Sequence, residues 1–120
     1  MEIESAVHRL SALAQDGRLQ VLRLLIRSGV GGLAAGEIAR TLAVAPNTLS
    51  AQLTVLSNAQ LVQARRQGRS IIYSADFDRM TELLAYLVED CCQGRPEVCT
   101  PLAQIAARVT CGDVAGGVEQ

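Results

Sequence analysis

The chain has 120 residues and a formal net charge of −1, with 49% apolar and 2% aromatic residues. This length suits one domain with one core, and the near-neutral charge argues against a surface that binds polyanions throughout. The scarcity of aromatic rings argues against stacking on single-stranded nucleic acid. No apolar run reaches the length of a membrane span, and the first ten residues lack the apolar core of a signal peptide. We therefore expect a cytoplasmic protein with reduced thiols and no membrane partner.

Two helices are predicted at the start of the chain. Ile3, Val7, Leu10 and Leu13/Ala14 recur at helical spacing, which predicts an amphipathic first helix. Asp16 is a candidate N-cap for a second helix, and a glycine-rich stretch from Ser28 to Gly32 predicts the loop that follows it. The second helix is expected to be largely buried because apolar residues cover much of its surface. These residues are Leu19, Val21, Leu22, Leu24, Leu25 and Ile26.

The middle of the chain predicts a helix-turn-helix, with a short helix at Glu37–Leu42, a turn at Ala43–Ala45 and a second helix from Pro46. Proline suits the first turn of a helix because its missing N–H costs nothing there. Leucines of the second helix form one apolar stripe, and short, mostly hydrogen-bonding side chains lie opposite. Such a face can approach base edges in a major groove; the alternative is an ordinary solvated face. The stripe is Leu49, Leu53 and Leu56, and the candidate groove contacts are Asn47, Thr48, Ser50 and Gln52.

Two strand-like segments, Leu61–Arg66 and Arg69–Ser74, follow this helix. Gln67-Gly68 separates them, and a two-residue loop ending in glycine suits a tight hairpin. Because successive strand residues face opposite sides, only one of Arg65 and Arg66 points toward a ligand beside the hairpin. We assign phosphate or minor-groove contacts to Arg66 and Arg69, with a solvated turn as the alternative. The predicted fold is mainly α (α+β), a winged helix-turn-helix with a two-stranded β-wing.

A last long helix is predicted from apolar residues at roughly heptad spacing, Phe77, Met80, Leu84, Leu87 and Cys91. Its apolar surface exceeds what one domain of this size needs. We therefore predict a homodimer through the first and last helices, which suits a palindromic site in double-stranded operator DNA. The alternative is that this helix only covers its own domain.

Beyond Asp90 the chain changes character, because Gly94, Pro96 and Pro101 interrupt the helix. One further short helix is predicted over Leu102–Val109. We place a DNA-binding and dimerisation domain at residues 1–92 and a cysteine-containing tail at 93–120.

The order and spacing of these segments resemble the ArsR/SmtB family of metalloregulatory transcriptional repressors. Leu13–Leu25 is similar to the family's second helix, Ser50–Leu53 to its recognition helix, and Arg66–Arg69 followed by Tyr73 to its wing. The resemblance covers about residues 10–87 and implies a repressor rather than an enzyme. Catalysis by a cysteine nucleophile would also need a base, and the one histidine, His8, is far away in sequence.

Several positions depart from the family pattern. The family usually has His where Gln52 stands and Gly where Gln60 stands. The segment Gly36–Leu42 lacks the cysteine pair of the founding arsenic sensors, and His8 alone cannot build the histidine and carboxylate site of zinc-sensing relatives. The better-known sensor sites are therefore missing from this chain.

Three cysteines in the segment CCQGRPEVC resemble the site of a branch of the family similar to the repressor of an acidophilic arsenic-resistant bacterium. The resemblance implies that Cys91, Cys92 and Cys99 bind arsenite or antimonite. Trivalent arsenic and antimony prefer thiolate sulfur and take three ligands, whereas zinc prefers a closed tetrahedron of four. Cys111 leaves a four-thiolate zinc or cadmium site open. A thiol-redox sensor that forms a Cys91–Cys99 disulfide is a further alternative, and small buried hydrophobes are the structural one.

The position of these thiols suggests how a bound ion would act. Adjacent helical residues point about 100° apart, so Cys91 and Cys92 cannot easily bind one small ion while the helix stays ideal. Binding would distort the helix end, shift the dimer helices and change the spacing of the recognition helices. The sequence therefore predicts an arsenic(III)-responsive repressor that arsenite or antimonite releases from operator DNA.

Overall fold

The structure is a computed structural model, and it describes residues 1–88 of the chain. The chain divides into two compact units, Met1–Met80 and Thr81–Gln120. The predicted domain boundary at 92/93, the four cysteines and the predicted helix at 102–109 lie outside the described residues. The elements in order are α1 (Ile3–Leu13), α2 (Asp16–Ser28), a 3-10 turn (Gly29–Gly31), β1 (Leu33–Ala34), α3 (Ala35–Leu42), α4 (Pro46–Asn58), β2 (Val62–Gln67), β3 (Ser70–Ala75) and α5 (Phe77–Val88).

Helix α2 lies at the centre of the hydrophobic core. It contacts α1, α3, α4 and β3, and its Val21 and Leu25 are completely inaccessible to solvent. The expectation of a largely buried second helix is confirmed, except at Leu19, which is 44% exposed. Helix α1 contributes Ala12 to the core, and the remaining core side chains come from the helix-turn-helix and the residues after it, namely Ile38, Leu49, Leu53, Leu56, Ala59, Leu61, Val62 and Ala75.

The N-terminus of α2 differs from the prediction by one residue. Gln15, not Asp16, is the N-cap, and its Oε1 accepts a hydrogen bond from the Arg18 amide at 2.8 Å. Glutamine is not a favoured N-cap residue, so the sequence pattern pointed to the aspartate. Asp16 instead lies in the first turn, where its negative charge interacts favourably with the helix dipole. The Arg18 side chain ties α2 back to α1, because its Nε donates to the Ala12 carbonyl at 2.6 Å.

The strands form an antiparallel sheet in the order β1-β3-β2. The predicted hairpin is confirmed, but Gln67 pairs with Ser70, so its loop is Gly68-Arg69, one residue later than predicted. Gly68 has φ +65°, which suits a turn that needs glycine at its first loop position.

The short strand β1 was not predicted. It pairs with β3, with Leu33 opposite Tyr73, and a two-residue strand is too short to show an alternating pattern. Gly32 allows this close approach, because a Cβ at that position would collide with the Tyr73 carbonyl oxygen. The sheet therefore joins the segment before the helix-turn-helix to the wing.

Helix α1 forms where the apolar periodicity predicted it, but of the periodic residues only Leu13, which is half-buried, packs against the core. Ile3, Val7 and Leu10 are 63%, 53% and 41% exposed, and we call these three residues the α1 stripe. The buried side carries Ala6, Arg9 and Ala12. The single chain therefore leaves an apolar face of α1 in solvent. In the second unit, Leu84 and Leu87 of α5 are also exposed.

Candidate nucleic-acid interface

Helices α3 and α4 are joined by the three-residue turn Ala43–Ala45, as predicted. Ala43 is left-handed at φ +54°, and the Val44 amide donates to the Ala39 carbonyl at 3.0 Å. This geometry ends α3 in the manner of a Schellman motif. Ala45 is extended and Pro46 occupies the first helical position of α4, where the lack of an N–H has no cost. Local backbone chemistry thus sets the angle at which α4 leaves α3.

Helix α4 has one buried and one exposed side. Leu49, Leu53 and Leu56 are 1%, 3% and 0% exposed, which confirms the predicted stripe. Three of the four predicted groove contacts, Asn47, Thr48 and Ser50, are exposed. They lie in the first turns of α4, so its N-terminal end presents short polar side chains to solvent.

The structure places the fourth predicted contact, Gln52, on the buried side of α4. Its side chain is 9% exposed, and its Oε1 is buried without a hydrogen-bond partner among the described residues. This burial gives no support to a groove contact by Gln52, which stays a prediction. Gln52 follows Leu49 by three positions and precedes Leu56 by four, and such neighbours share a helix face. That spacing is the signal which would have placed it beside the leucine stripe.

Arg65 and Arg66 lie on opposite faces of β2, as strand alternation predicted. Arg65 turns toward the 3-10 turn, where its Nη1 and Nη2 donate to the carbonyls of Val30 and Gly31 at 3.4 and 3.1 Å. Arg66, on the opposite face of β2, and Arg69, in the hairpin loop, are exposed. Arg65 is exposed as well, but part of its guanidinium is engaged with the 3-10 turn, so Arg66 and Arg69 are the wing arginines most available to an external anion.

Charge is distributed unevenly along the chain. Between Glu37 and Asp76 there is no acidic residue, whereas Arg40, Arg65, Arg66 and Arg69 are basic, so residues 38–75 carry a formal charge of +4 in a chain of net charge −1. Arg40 of α3 is exposed and was not among the predicted site residues. The stretch without acidic residues is the sequence signal that would have pointed to Arg40. The helix-turn-helix and wing thus form a locally positive region, as polyanion recognition requires.

These elements define a winged helix-turn-helix, a fold class that binds DNA. One solved structure with this fold is HlyU from Vibrio cholerae, which is 32% identical to this chain and has a TM-score of 0.58. The match covers 72% of this chain and 97% of the HlyU chain. A solution structure of a homodimeric winged helix-turn-helix DNA-binding domain from Mycobacterium bovis, a possible ArsR-family regulator, is 31% identical. This match covers 73% of the present chain and 82% of the Mycobacterium bovis chain, also with a TM-score of 0.58.

Curated relatives agree with the structural neighbours. The nodulation protein NolR of Rhizobium meliloti is 31% identical over 86 residues, which are 72% of this chain and 68% of NolR. An uncharacterized HTH-type transcriptional regulator of Mycobacterium tuberculosis is 37% identical over 75 residues, and the match spans 61% of this chain and 62% of that protein. No family model matches the chain.

The chain belongs to the winged helix-turn-helix transcriptional regulators of the ArsR-like family. The predicted fold class is confirmed, with β1 as an addition to the two-stranded wing. The relatives are transcriptional regulators and not enzymes, in agreement with the sequence-based expectation.

The predicted thiolate ligands Cys91, Cys92 and Cys99, and Cys111, lie outside the described residues. Within residues 1–88, no three His, Cys, Asp or Glu side chains come together as a metal site. Over the same residues, none of the helices has the length and apolar character to cross a membrane.

Proposed function

We propose that this protein regulates transcription by binding double-stranded operator DNA as a homodimer. The observation that carries this proposal is the exposed polar start of α4 together with two exposed wing arginines, in a segment with a formal charge of +4. Asn47, Thr48 and Ser50 would contact base edges in the major groove. Arg66 and Arg69 would bind phosphates or enter the minor groove. Gln52 is not included in this set because its side chain is buried.

The α1 stripe supports the homodimer. Three large apolar side chains, Ile3, Val7 and Leu10, are at least 41% exposed on one helix, and burial of such a face against a second copy is favourable. The exposed Leu84 and Leu87 of α5 support the same interpretation independently. Two-fold symmetry would place two recognition helices on the two halves of a palindromic site.

A binding assay tests this function directly. Fluorescence anisotropy with a palindromic duplex from the promoter of the protein's own operon should give specific binding, and a scrambled duplex of equal length should bind far more weakly. Asn47→Ala should reduce the discrimination between the two duplexes, since each base contact contributes about 1–3 kcal/mol to it. Thr54→Ala is a matched control on the same helix, because the Thr54 hydroxyl donates to the Ser50 carbonyl at 2.9 Å. Equal affinity of the wild-type protein for both duplexes would contradict operator recognition.

We further propose that arsenite, or antimonite, is the effector and that it binds Cys91, Cys92 and Cys99. Support comes from the sequence: three thiols follow α5, and soft trivalent ions prefer thiolate ligands. The site would lie at the end of the helix that carries Leu84 and Leu87. Ion binding there would favour a dimer arrangement with lower operator affinity, and this differential affinity is what makes the effect allosteric.

Titration of arsenite into the protein–operator complex under reducing conditions tests the effector. The wild-type protein should release DNA, and Cys91→Ser, Cys92→Ser and Cys99→Ser should each require much more arsenite. Cys111→Ser is the matched control and should respond as the wild type does. Release by zinc or cadmium that depends on Cys111 would support a four-thiolate site instead. Release by an oxidant, with a Cys91–Cys99 disulfide identified by mass spectrometry, would support thiol-redox sensing. An unchanged response of all three serine variants would refute the site.

A further inference from the structure

Gln52 lies where α4 meets the start of α2. A Cβ built on Gly17 would collide with Gln52 Nε2, and it would lie 3.1 Å from Gln52 Cδ. The Gln52 amide therefore occupies the space that a side chain at residue 17 would fill. Because Gly17 is the second residue of α2 and Gln52 is on α4, this contact joins the core helix directly to the recognition helix.

The same Cβ would also lie 3.2 Å from Gln15 Oε1, so Gln52 is the nearer of two close side chains. The backbone itself does not require glycine here. Gly17 is not among the residues with positive φ, so any residue could adopt its backbone conformation. Glycine within a helix is less favourable than alanine. Gly36 occupies the equivalent second position of α3, and a Cβ there would meet only Arg40 Nη1 at 3.5 Å, an ordinary contact. The tight contact is therefore specific to Gly17.

The side-chain amide oxygen of Gln52 accepts no hydrogen bond from the described residues. Oε1 is buried and has no partner among the described residues, and a buried unpaired acceptor is destabilising. What remains is the length and volume of the side chain, which fill the space between α4 and Gly17. A methionine has nearly the same length without the amide and adapts easily to irregular spaces.

We propose that Gly17 and Gln52 form a matched steric pair in which Gln52 is a positioning residue that sets the distance of the recognition helix from α2. Gln52 does not contact bases. It acts through Asn47 and Ser50, which α4 carries on its exposed side. The effect on DNA rests on the proposed operator binding, whereas the steric match is a property of the fold alone.

Thermal denaturation tests the steric match without DNA. Gly17→Ala should lower the melting temperature by about 5 °C, the low end expected for overpacking in a domain of this size, because Gln52 Nε2 is the end of a flexible side chain. The matched control Gly36→Ala should raise it by a few degrees, because alanine is the better helix former. In a Gln52→Ala background only Gln15 Oε1, 3.2 Å from the Cβ, remains close, and Gly17→Ala should then raise the melting temperature, by less than Gly36→Ala does. This reversal of sign is specific to a steric pair.

Operator binding tests positioning against base contact. Gln52→Met keeps the length of the side chain, so its operator Kd should stay within about threefold of wild type, a difference smaller than one base contact. Gly17→Ala, measured well below its melting temperature, should raise the operator Kd about tenfold or more, the loss expected when a base contact goes out of register. The Kd for the scrambled duplex should not change. Gly17→Ala in the Gln52→Ala background should have an operator Kd close to that of Gln52→Ala alone.

Each part has an outcome that overturns it. If Gly17→Ala changes the melting temperature equally in both backgrounds, the two residues are not a steric pair. If Gln52→Met loses discrimination to the same extent as Asn47→Ala, Gln52 contacts bases and is not a positioning residue. If the wild-type protein prefers no operator, the proposed function fails and positioning for DNA fails with it. The sign reversal in melting temperature would still decide the steric match.

Discussion

The wing is expected to determine how strongly operator binding depends on salt. All three wing arginines are exposed, but only Arg65 has its guanidinium engaged with backbone carbonyls, those of Val30 and Gly31. We therefore expect phosphate contacts from Arg66 and Arg69 and none from Arg65. Each phosphate contact contributes about 0.9 to the slope of log K against log salt. Arg66→Gln combined with Arg69→Gln should reduce the magnitude of that slope by about 1.8 per protomer.

This change is large enough to measure. For the homodimer the slope difference is about 3.6, which between about 50 and 200 mM salt corresponds to about a 150-fold difference in how far the affinity falls. Anisotropy titrations with the operator duplex at several salt concentrations would give the slope for each variant. Arg65→Gln is the matched control, because it removes the same charge from the neighbouring residue and should leave the slope nearly unchanged. A slope that falls equally for Arg65→Gln and Arg66→Gln, or that does not fall for the double variant, would refute this arrangement of the wing.

Three further predictions concern stability and assembly. Leu56→Ala, at a side chain with no solvent exposure, should cost about 2–5 kcal/mol in urea denaturation, and a cost no larger than that of the exposed Thr54→Ala would contradict its burial. Gly68→Ala should cost about 1–2 kcal/mol because φ is +65° there and alanine is disfavoured in that region. Gly31→Ala is its control, since a Cβ at Gly31 meets no atom within 4 Å; equal effects would argue against turn strain. Val7→Glu should convert the homodimer to a monomer in analytical ultracentrifugation, whereas His8→Glu on another face of α1 should not. A dimeric Val7→Glu protein would exclude the α1 stripe as the interface.

The local elements of this protein were predictable from sequence because their causes are local. The leucine spacing of α4, Pro46 at its first position and the arginine-rich hairpin each depend on residues within a few positions of one another. The same holds for the alternation that separates Arg65 from Arg66, since neighbouring strand residues always face opposite sides. These features predicted the helix-turn-helix and the wing, and the structure confirms both.

Which faces are buried depended on contacts between distant segments. Apolar periodicity predicted α1 correctly, yet the packing of α1 on α2 and α4 buries Ala6, Arg9 and Ala12 and leaves the α1 stripe in solvent. Periodicity identifies an apolar face, but it does not say whether that face meets its own chain or a second one. The strand β1 exists only because β3 lies beside it, and two residues carry no pattern of their own.

Within the candidate site, Gln52 shows the same difference between what local sequence predicts and what tertiary packing determines. Its chemistry suggested a base contact, but it shares the buried face of α4 with Leu49 and Leu56 and meets α2 at Gly17. The space it fills exists because residue 17, 35 positions earlier in the chain, has no side chain. Local sequence therefore determined the elements that would read DNA, and tertiary packing determined which side chains those elements leave free to do so.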